Sequence, residues 1–175
     1  ETWEPEPVAG LCGPAGDAIR LGAELLPAAR EFLEDPRQPK RVHDQKSALH
    51  AFEKLGIALE GVTEDTMLAG FLLDASRADF SLEKSVARSL GVAADGDPAR
   101  TADLVRRLGE QLALEIETRK LRDLYENVEM PLAPILARME TAGVLIDPEA
   151  LGELSRRMEG EIASLSEQIH ALAGS

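Results

Sequence analysis

The chain is poor in cysteine, in aromatic side chains and in positive charge, and each shortage excludes something. A single thiol, Cys12, in 175 residues rules out a disulfide framework and any cysteine-based zinc site. Aromatic residues make up 3% of the chain, so the core has to be built from Leu, Ala, Val and Ile, which the 44% hydrophobic content supplies. No apolar run approaches the roughly 20 residues that span a bilayer, and no signal peptide is visible, so no membrane partner is expected. Lys and Arg number 19 against 32 Asp and Glu, a net charge of −13. Such a surface repels a phosphate backbone, so weak or no nucleic-acid binding by this segment is expected. Internal repeats and low-complexity tracts are missing too. A first residue that is Glu1 rather than Met, and an end at Ala173-Gly174-Ser175, read as a piece excised from something longer.

What is present is an alternation of short strands and helices. Val8–Cys12 and Asp17–Leu21 flank the turn Gly13-Pro14-Ala15-Gly16 and read as two strands. Leu25, Leu26, Ala29, Phe32 and Leu33 recur at helical spacing, which predicts a helix over 23–34 ending before Pro36. A brief strand at 40–42 precedes a helix over 45–55 with Leu49, Phe52 and Leu55 inward, and 57–62 reads as a further strand. Asp65 and Ser81 cap the next helices, and 92–97 is a loop. From Pro98 the pattern is helical for about thirty residues, broken only at Pro131. From Pro148, Leu151, Leu154, Met158, Ile162, Leu165, Ile169 and Leu172 hold one apolar stripe, the seam of a long packed helix. The class is α/β, a small mixed sheet flanked by helices, with long helices behind it.

The segment from Tyr125 to Asp147 is the most specific. Glu129-Met130-Pro131-Leu132 restarts a helix with Leu132, Ile135, Leu136 and Met139 on one face; Gly143 stops it, and Asp147-Pro148 opens the next. The order Tyr125, Glu129, Pro131, Leu132, Met139, Glu140, Gly143, Asp147 resembles the junction by which members of the bacterial DNA polymerase I family (family A) leave their 3′–5′ exonuclease domain and begin their polymerase domain. Upstream, Leu33-Glu34-Asp35, Lys40 to Lys46, Gly56-Ile57 through Asp65-Thr66-Met67-Leu68-Ala69 to Leu72-Leu73-Asp74, and Ser81-Leu82-Glu83 to Ser89-Leu90-Gly91 are similar to that family in order and spacing. The resemblance implies a ribonuclease-H-like exonuclease domain over 1–124 and the start of a helical polymerase domain over 125–175. It also implies a parent that is a DNA-directed DNA polymerase, a bacterial cytoplasmic nucleotidyltransferase of replication and repair that needs Mg²⁺ and meets DNA through its other regions.

An active exonuclease of this family holds two metal ions with four carboxylates. By the resemblance, the ligand two residues beyond Lys46 is Ala48, and Ala102-Asp103 in the family register puts Thr101 at the late aspartate and Asp97 at its tyrosine. Taking Asp103 as the ligand instead leaves Ala99 where the tyrosine belongs. The opening Asp-x-Glu strand is missing or precedes Glu1, since Glu1-Thr2 lies too near Gly10. The exonuclease-like segment is therefore expected to be degenerate, to hold no cofactor, and to support the polymerase domain structurally. Two alternatives remain open: a helical protein-interaction module using the 151–172 stripe, and an exonuclease still active through displaced ligands. Val42-His43-Asp44 echoes a polymerase metal motif but lacks its context, so His43 and Asp44 are read as a strand end and a helix cap. His50 and His170 are read as surface groups, Arg106 and Arg107 as partners of nearby acids, and Glu110, Glu115 and Glu117 as a solvated face.

Overall fold

The computed structural model describes residues 8–174, and the chain divides into two compact units after Thr141. In the first unit, β1 (Ala9–Cys12) and β2 (Ala18–Leu21) pair antiparallel across a turn in which the Gly16 N–H donates to the Gly13 carbonyl. A 3₁₀ turn, Leu26–Ala29, and the single-turn helix α1 (Arg30–Glu34) follow. The helix expected over 23–34 is thus shortened and starts tighter, because Pro27 sits in its first turn and supplies no amide donor. The periodicity still holds: Leu26 and Leu33 are buried, while Leu25 and Phe32 stay exposed.

β3 (Lys40–Val42) leads into α2 (Gln45–Lys54), and β4 (Val62–Asp65) leads into α3 (Thr66–Leu73). β3 and β4 are parallel, with an irregularity between Lys40 and Arg41, so the α/β class holds with its described strands in two separate pairs. The strand expected at 57–62 is displaced to 62–65. Ile57 and Leu59 do alternate inward, both buried. Their segment, however, bonds to helix ends rather than to a strand: the Ile57 N–H donates to the Phe52 carbonyl and the Glu60 N–H to the Leu33 carbonyl. Gly61, at φ +68°, then turns the chain into β4, and a Cβ there would lie 2.5 Å from the Gln38 carbonyl oxygen.

α4 (Leu82–Leu90) ends at Gly91, and α5 (Pro98–Thr118) carries Leu104, Leu108, Leu112 and Ile116 at four-residue intervals. These pack with Ala69, Leu73, Val86, Tyr125 and Met130 into one core; Leu21, Leu26, Leu33, Ile57 and Leu59 form a second, with Ala48, Leu49 and Phe52 of α2 against it. Leu55, expected inward, is exposed, since α2 ends before it. α5 stops ten residues sooner than its pattern implied. Thr118 is its last residue and Lys120 adopts φ +59°, so the break lies at 119–121 and not at Pro131. Helical winding resumes at α6 (Arg122–Leu124) and runs on through a π turn, Tyr125–Glu129, into α7 (Met130–Ala142). In the π turn the Met130 N–H donates five residues back to Tyr125, a widening that lets Pro131 follow without a missing donor ending the helix. Met130, Ala133 and Ala137 are its buried face; Leu132, Ile135, Leu136 and Met139 are exposed.

The second unit contains α8 (Pro148–Ala173). Asp147 caps it by accepting from the Glu149 and Ala150 amides, both at 3.0 Å, and Gly143, at φ +67°, lies just beyond α7, as the sequence implied. The stripe from Leu151 to Leu172 is exposed along its length.

β1 meets the start of α5 so closely that a Cβ on Gly10 would sit 1.8 Å from the Pro98 carbonyl oxygen. Gly10→Ala is therefore expected to destabilise the first unit by about 1–3 kcal/mol, the usual cost of overpacking against backbone. Urea unfolding followed by circular dichroism measures this; an unchanged midpoint would mean that the strand shifts freely.

Candidate functional site

Sequence reasoning nominated four positions, and they fall in two places. Ala48 lies on α2 against the second core cluster and offers no donor atom. Asp97 and Asp103 line an open groove of about 630 Å³ with Asp95, Arg100, Leu104 and Arg107, in which Ala48 takes no part. Thr101 sits between them on α5, half-buried. Each acid in this groove already has a structural partner. Asp97 caps α5 by accepting from the Arg100 amide at 2.9 Å. Asp95 pairs with the Arg100 guanidinium, and its carboxyl is held below the usual range by the Asp97 amide first and that guanidinium second. Asp103 accepts from Arg106 Nη2 at 2.7 Å and Nε at 3.1 Å, with Arg107 at 3.9 Å and the Cys12 thiol beside it.

These donors do not fit a two-metal centre. Such a site needs several carboxylates free to neutralise the ions, whereas here one position is an alanine, one a neutral hydroxyl and two are acids engaged in a cap and a guanidinium pair. Among the described residues no group of three or more His, Cys, Asp or Glu is placed to hold a metal. The opening Asp-x-Glu position, Glu1-Thr2, lies outside the described residues. Arg106 and Arg107 pair with neighbouring acids, as their surroundings implied; Arg106 also reaches Glu110 at 2.8 Å. Glu115 and Glu117, read as solvated, are paired on the surface with Arg119 and Arg122.

The most densely bonded polar cluster lies elsewhere, at the carboxyl ends of β3 and β4. Asp65 is 1% exposed. One carboxylate oxygen accepts from the Asp44, Met67 and Leu68 amides at 3.0, 2.8 and 3.4 Å; the other accepts from the Gln45 amide at 2.7 Å. The cap read from the sequence is real, and it serves two helices rather than one. Tyr125 closes the cluster from below: its hydroxyl accepts from the Asp65 N–H at 2.6 Å and donates to the Asp65 carbonyl at 3.0 Å. Burial pushes the Tyr125 phenol well above its usual range, so it stays protonated and able to donate. Asp44 bonds Ser47 through its amide and hydroxyl from a left-handed backbone, φ +61°.

His43 sits beside this cluster with Nδ1 2.8 Å from Thr66 Oγ1, whose own proton points to the Val42 carbonyl at 3.3 Å. That arrangement puts the ring proton on Nδ1 and leaves the buried Nε2 without a partner. Of the remaining junction residues, Glu140 accepts from Lys46 at 2.7 Å and lies 3.0 Å from His50 Nε2, both on α2. Lys46 first, then His50, hold its carboxyl below the usual range. Glu129 is half-buried, while Pro131, Leu132 and Met139 face outward. The Asp65–Tyr125 and Lys46–Glu140 contacts join residues 60 and 94 apart, and no local periodicity signals pairs so remote.

Burial holds the His43 ring below its usual value, against the opposing pull of Asp65, the Phe80 main chain, Asp44 and Glu83. The unfolded chain therefore takes up this proton first. Stability tied to neutral His43 is complete above the ordinary value of 6.5 and declines as pH falls below it. The denaturation midpoint should drop between about pH 7 and about pH 5.5, and the drop should shrink in His43→Gln. Equal slopes in the two proteins would remove His43 from the account.

Comparison with known proteins agrees with this architecture. Residues 23–94 match the family model described as DNA polymerase I, ribonuclease H-like domain. DNA polymerase I of Bacillus subtilis is 31% identical over 167 residues, covering 83% of this chain and 19% of that protein. That of Chloroflexus aurantiacus is 30% identical, covering 86% and 19%. A solved structure, the POL domain of Pol1 from M. smegmatis in complex with DNA primer-template and dNTP, superposes with a TM-score of 0.80 at 27% identity, covering 94% of this chain and 30% of that one. The chain spans about a fifth of the length of these curated relatives. It carries the ribonuclease H-like domain of the DNA polymerase I family, and its likeness to DNA polymerase I extends over most of its length.

Proposed function

We propose that the exonuclease-like domain, taken to residue 124, is catalytically silent and acts as a structural support for the polymerase domain whose first helices occupy 125–175. The observation that carries this reading is the state of the four nominated positions. Ala48 has nothing to ligate with, Thr101 is neutral, Asp97 serves a helix end, and Asp103 is taken up by Arg106. Support of the following helices is consistent with the buried face of α7 and with Tyr125 on Asp65. On this reading the parent is a bacterial, cytoplasmic DNA-directed DNA polymerase using Mg²⁺, and it meets DNA through its other regions. The net charge of −13 makes this segment itself a poor ligand for nucleic acid. No helix among the described residues is long and apolar enough to cross a membrane.

The test is digestion of a 5′-labelled single strand with Mg²⁺ or Mn²⁺, alongside a variant carrying Ala48→Asp and Thr101→Asp. The unmodified chain should shorten the strand no faster than buffer. Shortening from the 3′ end that survives repurification and disappears in Asp103→Ala would establish an active nuclease with displaced ligands.

A second reading, a helical interaction module, draws on the exposed side chains from Leu151 to Leu172. If that stripe served self-association, the chain would sediment as an oligomer, and Ile162→Asp would convert it to a folded monomer. A monomer in both cases would leave the support reading alone.

A further inference from the structure

Two independent ties join α2 to the 125–141 helix, one at each end. At the exposed end, Glu140 meets Lys46 and His50, and the Thr141 hydroxyl donates to Glu53 at 3.1 Å. Solvent screens these pairs, so they hold little by themselves. The other tie is buried and runs through one residue. The Asp65 carboxylate gives the Asp44 and Gln45 amides, at the start of α2, acceptors that no other group supplies, and the same residue's N–H and carbonyl are both satisfied by the Tyr125 hydroxyl. A buried polar group cannot give up its partner without a penalty. A displacement of Tyr125 therefore moves the Asp65 main chain, and with it the acceptor on which α2 begins.

We propose that Asp65 is a mechanical coupler, through which the seating of α2 and the seating of the 125–141 helix form and loosen together. The ends of β3 and β4 are the fixed point: Val42 and Asp65 are paired across the parallel ladder, so the carboxylate and the Tyr125 contact share one rigid stretch of main chain. The exonuclease-like body thereby sets where α7 starts, whether or not that body cleaves DNA.

Hydrogen exchange of the full chain, resolved by residue, tests this in three variants. Tyr125→Phe keeps the ring and deletes the hydroxyl. The Asp44 and Gln45 amides, which do not touch Tyr125, should then exchange at least about fivefold faster, together with the amides of α7. Asp65→Asn keeps one acceptor oxygen for α3 while replacing the other by an NH₂ group facing the start of α2; α7 amides should speed up by a similar factor, although the Asp65 main chain is unaltered. Glu140→Gln cuts the exposed tie and should leave Asp44 and Gln45 within about twofold of the parent. The proposal is overturned if Tyr125→Phe affects only Asp65 and its immediate neighbours. It is overturned equally by a uniform rise that includes the α5 amides around Leu108, since that reports loosening of the whole body rather than coupling.

Discussion

The first unit depends on a buried negative charge that has no cation beside it. Four main-chain N–H groups satisfy the Asp65 carboxylate, and they come from the starts of two helices whose dipoles point their positive ends at it. This is a stringent arrangement, because an uncompensated carboxylate in an apolar interior is among the costliest things a fold can contain. It tolerates little play: both helices must begin within hydrogen-bond reach of the same two oxygens. The β3–β4 register, the starts of α2 and α3 and the position of Tyr125 are all consequences of meeting that requirement.

The acids of the α5 groove follow another logic. Each is close to a guanidinium or a helix start, so the charges that give the chain its acidity are largely absorbed locally. Arg106 stands between Asp103 and Glu110, and Arg122 between Glu117 and Glu126. A carboxylate held this way is poorly prepared to bind a divalent ion, because the ion has to displace a guanidinium already in place. The same pairs stiffen α5 along its exposed face, where the core-facing leucines do the packing.

What could be read from the chain was what local rules govern. The caps at Asp65 and Asp147, the stops at Gly56, Gly91 and Gly143, and the inward faces of α1 and α5 follow from spacing over three or four residues. The errors arose where the deciding partner was remote. Ile57–Gly61 has the alternation of a strand, but the neighbouring helix ends took its hydrogen bonds before any strand could. The break after Thr118 gave no proline or glycine signal, since Lys120 turns the chain in a left-handed conformation that side chains rarely adopt. Asp65 was legible as the cap of α3 and illegible as that of α2, because Asp44 stands at the start of α2 and looks sufficient there. Of the candidate site, the missing ligand at Ala48 was visible in the sequence, while the partner that occupies Asp103 became clear only once α5 was folded.

The π turn at Tyr125–Glu129 acts as a phase adjustment. Successive helical residues are offset by about 100°, so one residue more or fewer ahead of α7 rotates everything after it by more than a quarter-turn. With the turn as it is, Met130, Ala133 and Ala137 meet the core. In a chain one residue shorter in that turn, Pro131, Pro134 and Arg138 would inherit those places, bringing two rings without donors and a guanidinium into an apolar interior. Substitutions along 125–129 are thus constrained by their chemistry, whereas a deletion there is constrained by arithmetic: it would leave every side chain intact and point all of them the wrong way.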